Sequence, residues 1–429
     1  MLGLYNTIML PLRPIASIWG ALRSGGADGG LEWRERRART LPRCDPGGLW
    51  LHGSSVGEAQ LVGLLARRMR ELRPELPLSA SAFTPTGRRQ LPAPPDVDAA
   101  FFAPLDFRGL PGRVLDGLRP RLLVLVETEL WPNLIQEADA RGIPVVMVNA
   151  RLAPERMGRY RRLSGLYRPL LLRLAAVAAQ SDEDADRFRA LGLAPRAVSV
   201  SGNVKYDLPA PEGDAAALRR RFALDEARPV LVAGSTGVGE ESAVLDAFRT
   251  LAGDRPDLYL ILAPRHPQRC AEVADALRKR GLAFLPLSAA RGDVSQHDVL
   301  LVDTVGELAA LYRLGTVAFV GGSLVPVGGH NLLEPANVGV PVLFGPHTHH
   351  VAEMAATLER EGAGIRVGDA STLAHETARL LDDPALRRGV AARATAVLEA
   401  NRGALQRTIE CILSALDAAA PDRAGADLP

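Results

Sequence analysis

Two doubly wound α/β domains, each built on a parallel sheet, are the fold this sequence predicts. Three observations carry that expectation. The chain has 429 residues, more than one compact core accommodates. Short apolar runs alternate with helical patterns almost from one end to the other, the signature of βαβ units. The pattern also stops at Pro209-Ala-Pro-Glu-Gly213 and then begins again. With 47% hydrophobic and 23% charged residues, the composition is that of a globular protein.

Residues 1–22 are apolar, with Leu2, Leu4, Ile8, Leu10, Leu12, Ile15, Ile18 and Trp19. Pro11, Arg13 and Pro14 interrupt a run that would need ~20 apolar residues to span a bilayer. A helix lying in the membrane interface fits this pattern, and an amphipathic helix packed on its own domain is the alternative. No small-residue cleavage site follows a charged start, so a secretory signal is not expected. Gly25 to Gly30 reads as a flexible joint, and Trp33-Arg34-Glu35-Arg36-Arg37 as a basic flank on a cytoplasmic side. Residues 1–30 are therefore expected to be a membrane-associating segment and linker, 31–208 the first domain and 209–429 the second.

In the first domain, 48–52, 76–81, 122–127, 145–148 and 176–180 read as buried parallel strands, because both of their faces are apolar. Residues 59–72, 131–141 and 182–191 carry helical periodicity between them. The stretch 156–173, RMGRYRRLSGLYRPLLLR, is a basic helix that faces either anionic headgroups or water. In the second domain the strands are 230–233, 258–263, 299–302, 317–320 and 340–344, with helices starting near Gly239, Pro267, Gly306 and Asn331. The last helices, 386–398 and 403–416, are candidates to pack back onto the first domain. Doubly wound domains hold ligands at the carboxyl ends of their strands, so the expected site is an interdomain cleft.

Several functions are disfavoured. A net charge of +2 gives no reason to invoke nucleic acid. Cys44, Cys270 and Cys411 are far apart and show no CxxC spacing, which argues for a reducing compartment and against structural zinc. The turn from His52 to Glu58, HGSSVGE, lacks the dinucleotide fingerprint, and Gly234 to Gly239, GSTGVG, lacks the Lys-Ser/Thr of a P-loop. His347, His349 and His350 have no carboxylate partner at helical spacing and read as loop residues, so no catalytic metal is expected.

The most informative stretch is 320–346, VGGSLVPVGGHNLLEPANVGVPVLFGP. It spells a strand end, two glycine turns and a helix opening on Asn331, Leu332 and Leu333, with Glu334 one turn in. Glycine backbone can approach a phosphate, and a helix N-terminus favours its charge. Glu334 could accept from a ribose. The alternative is ordinary βα-turn chemistry. Ser235-Thr236, Arg265-His266 and Gly306-Glu307-Leu308 follow other strands of the same domain, and together these four turns suggest a nucleotide-sugar site. Guanidinium and imidazole suit a phosphate or a sugar carboxylate.

On the first domain, Glu58 sits where the first strand becomes the first helix, in a turn with Ser54, Ser55 and Gly57. It is either a general base or a charge set against the helix dipole. Glu127-Thr-Glu129-Leu-Trp-Pro-Asn133 ends a purely aliphatic strand, where carboxylates are costly unless satisfied or used. Of 51 basic residues only Lys205 and Lys279 are lysines. Lys205 lies in a glycine-flanked motif, Ser201-Gly-Asn-Val-Lys205-Tyr-Asp207, where a compact ammonium rather than a planar fork has been kept.

These motifs, with Thr84-Pro-Thr86-Gly87, Pro104-Leu-Asp106 and Asn149-Ala-Arg-Leu152, resemble in order those of the 3-deoxy-D-manno-octulosonic acid (Kdo) transferases, from about Leu31 to Gln406. The resemblance implies a metal-independent GT-B glycosyltransferase of lipopolysaccharide biosynthesis. It would move Kdo from CMP-Kdo to a lipid A precursor, lipid IVA, at the cytoplasmic face of the inner membrane, and need no cofactor. It also implies Glu58 as base, Glu127 and Lys205 as stabilisers of the transition state, and CMP held by Ser235, Thr236, Arg265, His266, 306–308 and 331–334. Ser54, Ser55, Gly57, Thr86 and Glu129 are acceptor-side candidates. Two departures stand out. Gly237 and Val238 replace an expected His-Glu, and His349-His350-Val351 replaces an aromatic-Asn-aromatic sequence. Another nucleotide sugar such as UDP-N-acetylglucosamine, used by a GT-B transferase or an epimerase, is an alternative, and an inactive membrane-surface binding protein is a second.

Overall fold

The computed structural model describes residues 2–12, 29–211, 213–290 and 292–419. Its contacts divide the chain into two units, one reaching Leu208 and taking up the chain again from Arg402, the other spanning Pro209–Asn401. Among the described residues each unit holds one seven-stranded, all-parallel sheet.

The strands of the first unit are β1 (Leu49–His52), β2 (Leu78–Ala82), β3 (Ala99–Phe102), β4 (Leu122–Val126), β5 (Val145–Ala150), β6 (Leu174–Ala179) and β7 (Val198–Val200). Their spatial order is β3-β2-β1-β4-β5-β6-β7. Strand order therefore reverses between β1 and β4, which pair from Leu49↔Leu122 to His52↔Leu125. In open parallel sheets the crevice at such a reversal is where ligands bind. The turn after β1 carries Glu58, and the turn after β4 carries Glu127.

The second unit has β8 (Val230–Thr236), β9 (Tyr259–Pro264), β10 (Phe284–Pro286), β11 (Val299–Leu301), β12 (Val317–Val320), β13 (Val342–Phe344) and β14 (Gly364–Arg366). Their order is β10-β11-β9-β8-β12-β13-β14, with the reversal between β8 and β12. Every residue of β4, β5, β9 and β12 is buried, as expected for strands covered on both faces.

The sequence reading missed four strands, β3, β7, β10 and β14, and these are the four edges of the two sheets. Edge strands are paired on one side and short, so they lack the long apolar run that marks a central strand. The C-terminal end also differs from expectation. The helix Pro384–Asn401 stays with the second unit, where Val390 joins the core. Only Ala404–Ala418 belongs to the first unit, burying Ala404, Ile409, Ile412 and Leu416 against Leu49, Leu51 and Leu122. The start of this helix is tied to Asp207, whose carboxylate accepts from Gly403 N–H at 2.8 Å and Leu405 N–H at 2.7 Å.

Near the N-terminus, Leu2–Met9 is a helix with no buried residue. Tyr5 donates to Asp106 Oδ2 at 3.0 Å, while Leu4, Ile8, Leu10 and Leu12 are exposed. Ile15, Ile18, Trp19 and most of the expected joint lie outside the described residues. The basic flank is not wholly on the surface. Glu35 and Arg36 of the helix Gly29–Arg36 are buried. Arg36 donates to Phe83 O and stacks 4.7 Å over the Phe83 ring, and Glu35 accepts from Phe102 N–H. A guanidinium between aromatic faces with a carbonyl acceptor is satisfied without water. Stretch 156–173 is two helices, Pro154–Arg162 and Ser164–Leu171, with Arg156, Arg159, Arg161 and Arg162 exposed.

Candidate active site

Ser55 caps the helix Val56–Leu72, and Glu58 at its third position closes a capping box. The Glu58 carboxylate accepts from Ser55 Oγ at 2.8 Å and from Ser54 and Ser55 N–H. Burial pushes its carboxyl up to about 7, with Glu127 and then Glu129 adding to the rise and Ser55 and Ser54 opposing it. Burial likewise raises Glu129, whose Oε2 accepts from Trp131 Nε1 at 2.6 Å. Glu58 satisfies the helix start, and its proton affinity suits a base working near neutral pH.

Glu127 has φ +62, a left-handed conformation rare for a residue with a Cβ. Such strain persists where surrounding structure imposes it, often at functional sites. Here the turn delivers Glu127 Oε1 to Lys205 Nζ at 2.7 Å, with both side chains half-buried. Lys205 lies in the 3-10 turn Val204–Asp207. Asn149, with φ +51 at the end of β5, holds that turn by accepting from Val204 N–H at 3.0 Å.

Thr86 lies on the short helix Pro85–Gln90, whose cap, Thr84, donates to Ser54 O at 2.9 Å. A Cβ at Gly57 would meet nothing within 4 Å, so packing does not demand glycine there and the space beside the helix start is open. The structure thus gathers Ser54, Ser55, Gly57, Glu58, Thr86, Glu127, Glu129 and Lys205 around one reversal of strand order. Sequence reasoning gave no role to His52, the last residue of β1. Its ring is fully buried, shares Ser81 Oγ with Trp50 and meets Trp131 edge-on at 6.1 Å. Burial pushes this imidazole down to about 4, so it is neutral at neutral pH. Its position at the carboxyl end of a central strand was the available signal.

In the second unit the expected residues divide into those that face outward and those that do not. Arg265 and His266 are exposed after β9, and Ser235 holds φ +56 at the end of β8. Thr236 turns inward. Its side chain is fully buried and donates to Glu241 Oε1 at 3.2 Å, and Glu241 in turn pairs with Arg269 at 2.6 Å. Leu332 and Leu333 are likewise buried, leaving only their backbone to meet a ligand. Leu308–Leu311 and Leu333–Ala336 are helices of four residues, too short to build the expected macrodipole. Asn331 Oδ1 accepts from Leu333 N–H at 3.1 Å, and burial raises the Glu334 carboxyl, which Asn331 and Arg265 partly offset. Glu307 accepts from Thr304 Oγ beside Gly306, whose φ is +97.

The first glycine turn also differs from expectation. The N–H groups of Gly322, Ser323 and Leu324 are donated to Glu240, a fully buried carboxylate, together with Gly237 N–H. Gly328 and Gly329 N–H both go to Gly322 O. These glycines build the loop, and their amides are already committed within it. Among the described residues no group of three or more His, Cys, Asp and Glu is arranged to hold a metal.

Two Rossmann-like units, one presenting a half-buried glutamate raised to about 7 beside a lysine–glutamate pair, give the class: a glycosyltransferase of GT-B type. The family model for 3-deoxy-D-manno-octulosonic-acid transferase (kdotransferase) matches residues 31–208. The 3-deoxy-D-manno-octulosonic acid transferase of Haemophilus influenzae is 34% identical over 86% of this chain and 87% of its own length. That of Bordetella pertussis is 34% identical over 96% and 98%. Among solved structures, UDP-GlcNAc 2-epimerase from Neisseria meningitidis bound to UDP-GlcNAc shares the fold at TM-score 0.57 with 14% identity, covering 87% of this chain and 100% of that one. The chain belongs to the 3-deoxy-D-manno-octulosonic acid transferase family.

Proposed function

We propose that this chain transfers Kdo from CMP-Kdo to a hydroxyl of a lipid A precursor, with lipid IVA as the acceptor. The observation that carries the reading is the half-buried Glu58 carboxyl, raised to about 7 beside the Lys205–Glu127 pair. In the ionised state Glu58 takes the proton of the acceptor hydroxyl. The hydroxyl oxygen forms the new bond to the anomeric carbon as the bond to the phosphate oxygen breaks, and CMP leaves with that electron pair. Lys205 supplies positive charge on the same side, held in place by Glu127. CMP is held on the second unit by Arg265 and His266, with Ser235, the backbone of 331–333 and the Glu334 side chain. No cofactor or catalytic metal enters this scheme.

A lipid-bearing acceptor fits a chain that works at the cytoplasmic face of the inner membrane. The support is the exposed Leu4, Ile8, Leu10 and Leu12 together with the exposed arginines of 156–162. Among the described residues no helix is long and apolar enough to cross a membrane. The test is to mix purified protein with CMP-Kdo and tetra-acylated lipid A precursor, and to follow CMP release and acceptor mass. A gain of one or more Kdo units in wild type that is absent in Glu58→Gln supports the reading. No gain with folded wild-type protein, or a gain only with UDP-sugars, overturns it.

A further inference from the structure

Arg37, Arg39 and Arg113 line a cavity of about 160 Å³ in the first unit, together with Leu105, Phe107 and Leu110. Two segments bring them there. The helix Gly29–Arg36 gives way to Ala38, which is buried with φ +48, so the chain turns and Arg39 N–H returns to Arg34 O at 2.8 Å. Leu105 N–H donates to Arg36 O at 2.8 Å and ties the loop after β3 to that helix end. Gly109, with φ +82, then opens the helix Leu110–Leu118, and Arg113 stands one turn in.

Helix dipoles account for part of this cluster only. Arg37 and Arg39 follow a helix C-terminus, where cations are favoured. Arg113 stands at the opposite, positive end of its helix, which has no acidic residue in its first turn and no capping side chain. Among the described residues no hydrogen bond or ion pair ties down the guanidinium of Arg37, Arg39 or Arg113. The acids on the same segments are committed elsewhere. Glu32 pairs with Arg36 and Asp116 with Arg141, while Glu35 accepts from Phe102 N–H and Asp106 from Asn133 and Leu134 N–H. Like charges gathered unpaired around one cavity repel each other, a cost that a bound anion removes. The cavity is also tied to the apolar N-terminal helix. Asp106, between Leu105 and Phe107, accepts from Tyr5 of Leu2–Met9, whose Leu4 and Ile8 are exposed.

We infer that Arg37, Arg39 and Arg113 hold a phosphate group, and that at this place in the fold it is the phosphate of a membrane-lipid headgroup. Guanidiniums grip phosphate through paired N–H donors, and a helix start favours the same charge. Leu4 and Ile8 enter the acyl boundary, and the arginines meet the phosphate at headgroup level. Choosing a lipid over free phosphate rests on reading Leu2–Met9 as an interfacial helix, while the phosphate site itself is independent of the transfer reaction.

The test is co-sedimentation of the full chain with vesicles of digalactosyl diacylglycerol, a phosphate-free lipid, carrying either phosphatidic acid or oleate at matched surface potential. It compares wild type with Arg39→Gln/Arg113→Gln and with Arg161→Gln/Arg162→Gln. All four arginines are exposed, and each variant is checked for an unchanged melting temperature. The expected result is that Arg39→Gln/Arg113→Gln weakens binding to phosphatidic acid vesicles about 30-fold, the scale of two arginines at an anionic surface. Oleate vesicles should lose far less, whereas Arg161→Gln/Arg162→Gln should weaken both alike. Equal losses on the two vesicle types in Arg39→Gln/Arg113→Gln, or no loss on phosphatidic acid, overturn the phosphate site. Calorimetric titration with inorganic phosphate separates the sources. If the variant loses affinity for inorganic phosphate while phosphatidic acid vesicles bind it as they bind wild type, the lipid assignment is overturned and the site holds free phosphate. None of these outcomes depends on whether Kdo transfer is observed.

Discussion

Lys205 Nζ lies 2.7 Å from Glu127 Oε1, joining the turn after the central strand β4 to a 3-10 turn 78 residues later in the chain. Glu127 keeps a left-handed backbone to make this contact. A half-buried pair is a modest source of stability, because desolvation cancels much of the attraction. Its effect is to set where the ammonium stands. Lys205→Ala is expected to lower kcat by about 10²–10³-fold, as when one preorganised donor is removed from a transition state. Lys205→Arg should not restore the rate, because a planar fork cannot place a point charge there. In a double-mutant cycle with Glu127→Gln the losses should be strongly non-additive. Additive losses would separate the two residues.

Glu58 gives a pH dependence of definite sign. A base must be ionised, so kcat/KM should rise with pH through about 7 and then level. Glu129→Gln removes one nearby negative charge and should move that limb to lower pH. Stability runs the other way. The folded protein holds the Glu58 proton more tightly than the unfolded chain, so the stabilisation is complete below the ordinary carboxyl pKa of 4.5 and is lost as pH rises through about 7. Glu58→Gln keeps a capping-box residue. At pH 8 it should therefore be inactive yet more stable than wild type, by ~1–3 kcal/mol in urea unfolding. An inactive variant that is also less stable at pH 8 would mean that Glu58 matters for structure.

Asp207 accepts the first amides of Ala404–Ala418 two residues after Lys205, so one carboxylate anchors both the C-terminal helix and the lysine turn. Arg407 Nε adds a bond to Ser201 O at 2.8 Å. Asp207→Ala should cost about 2–3 kcal/mol, two charge-assisted bonds. It should also speed amide exchange in the first turn of that helix and lower kcat in the protein that remains folded. Exchange rates equal to wild type would show that the helix is held by its apolar face alone.

The central strands were legible because runs such as Leu122–Val126 are apolar on both faces, and the turns that follow them marked the carboxyl ends of the strands, while the points where strand order reverses were not legible. Glu127 stood out as a carboxylate costly at the end of an aliphatic strand, Lys205 as a lysine in a chain that otherwise uses arginine, and Glu58 by its place at a strand-to-helix turn. What the sequence did not display is direction. Nothing in Ser235-Thr236 says that the threonine turns inward to Glu241, nor in Leu332-Leu333 that both side chains enter the core. Nor does the sequence show that His330 comes within reach of Arg265, His266 and His350 from other turns. Stretch 386–398 carries no signal for the unit it joins, and only the tertiary contacts decide.

Glu240 illustrates the same point. Glu240 and Glu241 open the helix Glu240–Asp254, where exposed carboxylates commonly oppose the helix dipole. Yet Glu240 is fully buried, and its carboxylate accepts four backbone amides, Gly237 and Gly322 on one oxygen, Ser323 and Leu324 on the other, at 2.6–2.8 Å. It thereby fastens the turn after β8 to the turn after β12, across the reversal of strand order in the second unit. Glu240→Ala leaves these amides without their acceptor and should destabilise the protein by about 3–5 kcal/mol, the scale for removing a buried charged partner. Glu240→Gln keeps one acceptor oxygen but turns an NH2 toward two N–H donors, so it should fall between. CMP binding should weaken in Glu240→Gln under conditions where circular dichroism still reports a folded chain, because the loop that carries His330 is then no longer held. By contrast, Glu241→Gln disturbs only Thr236 and Arg269, and should change CMP affinity little. If Glu240→Gln matches wild type in both urea midpoint and CMP titration, the four short contacts do not govern the loop, and its shape must come from the glycines alone.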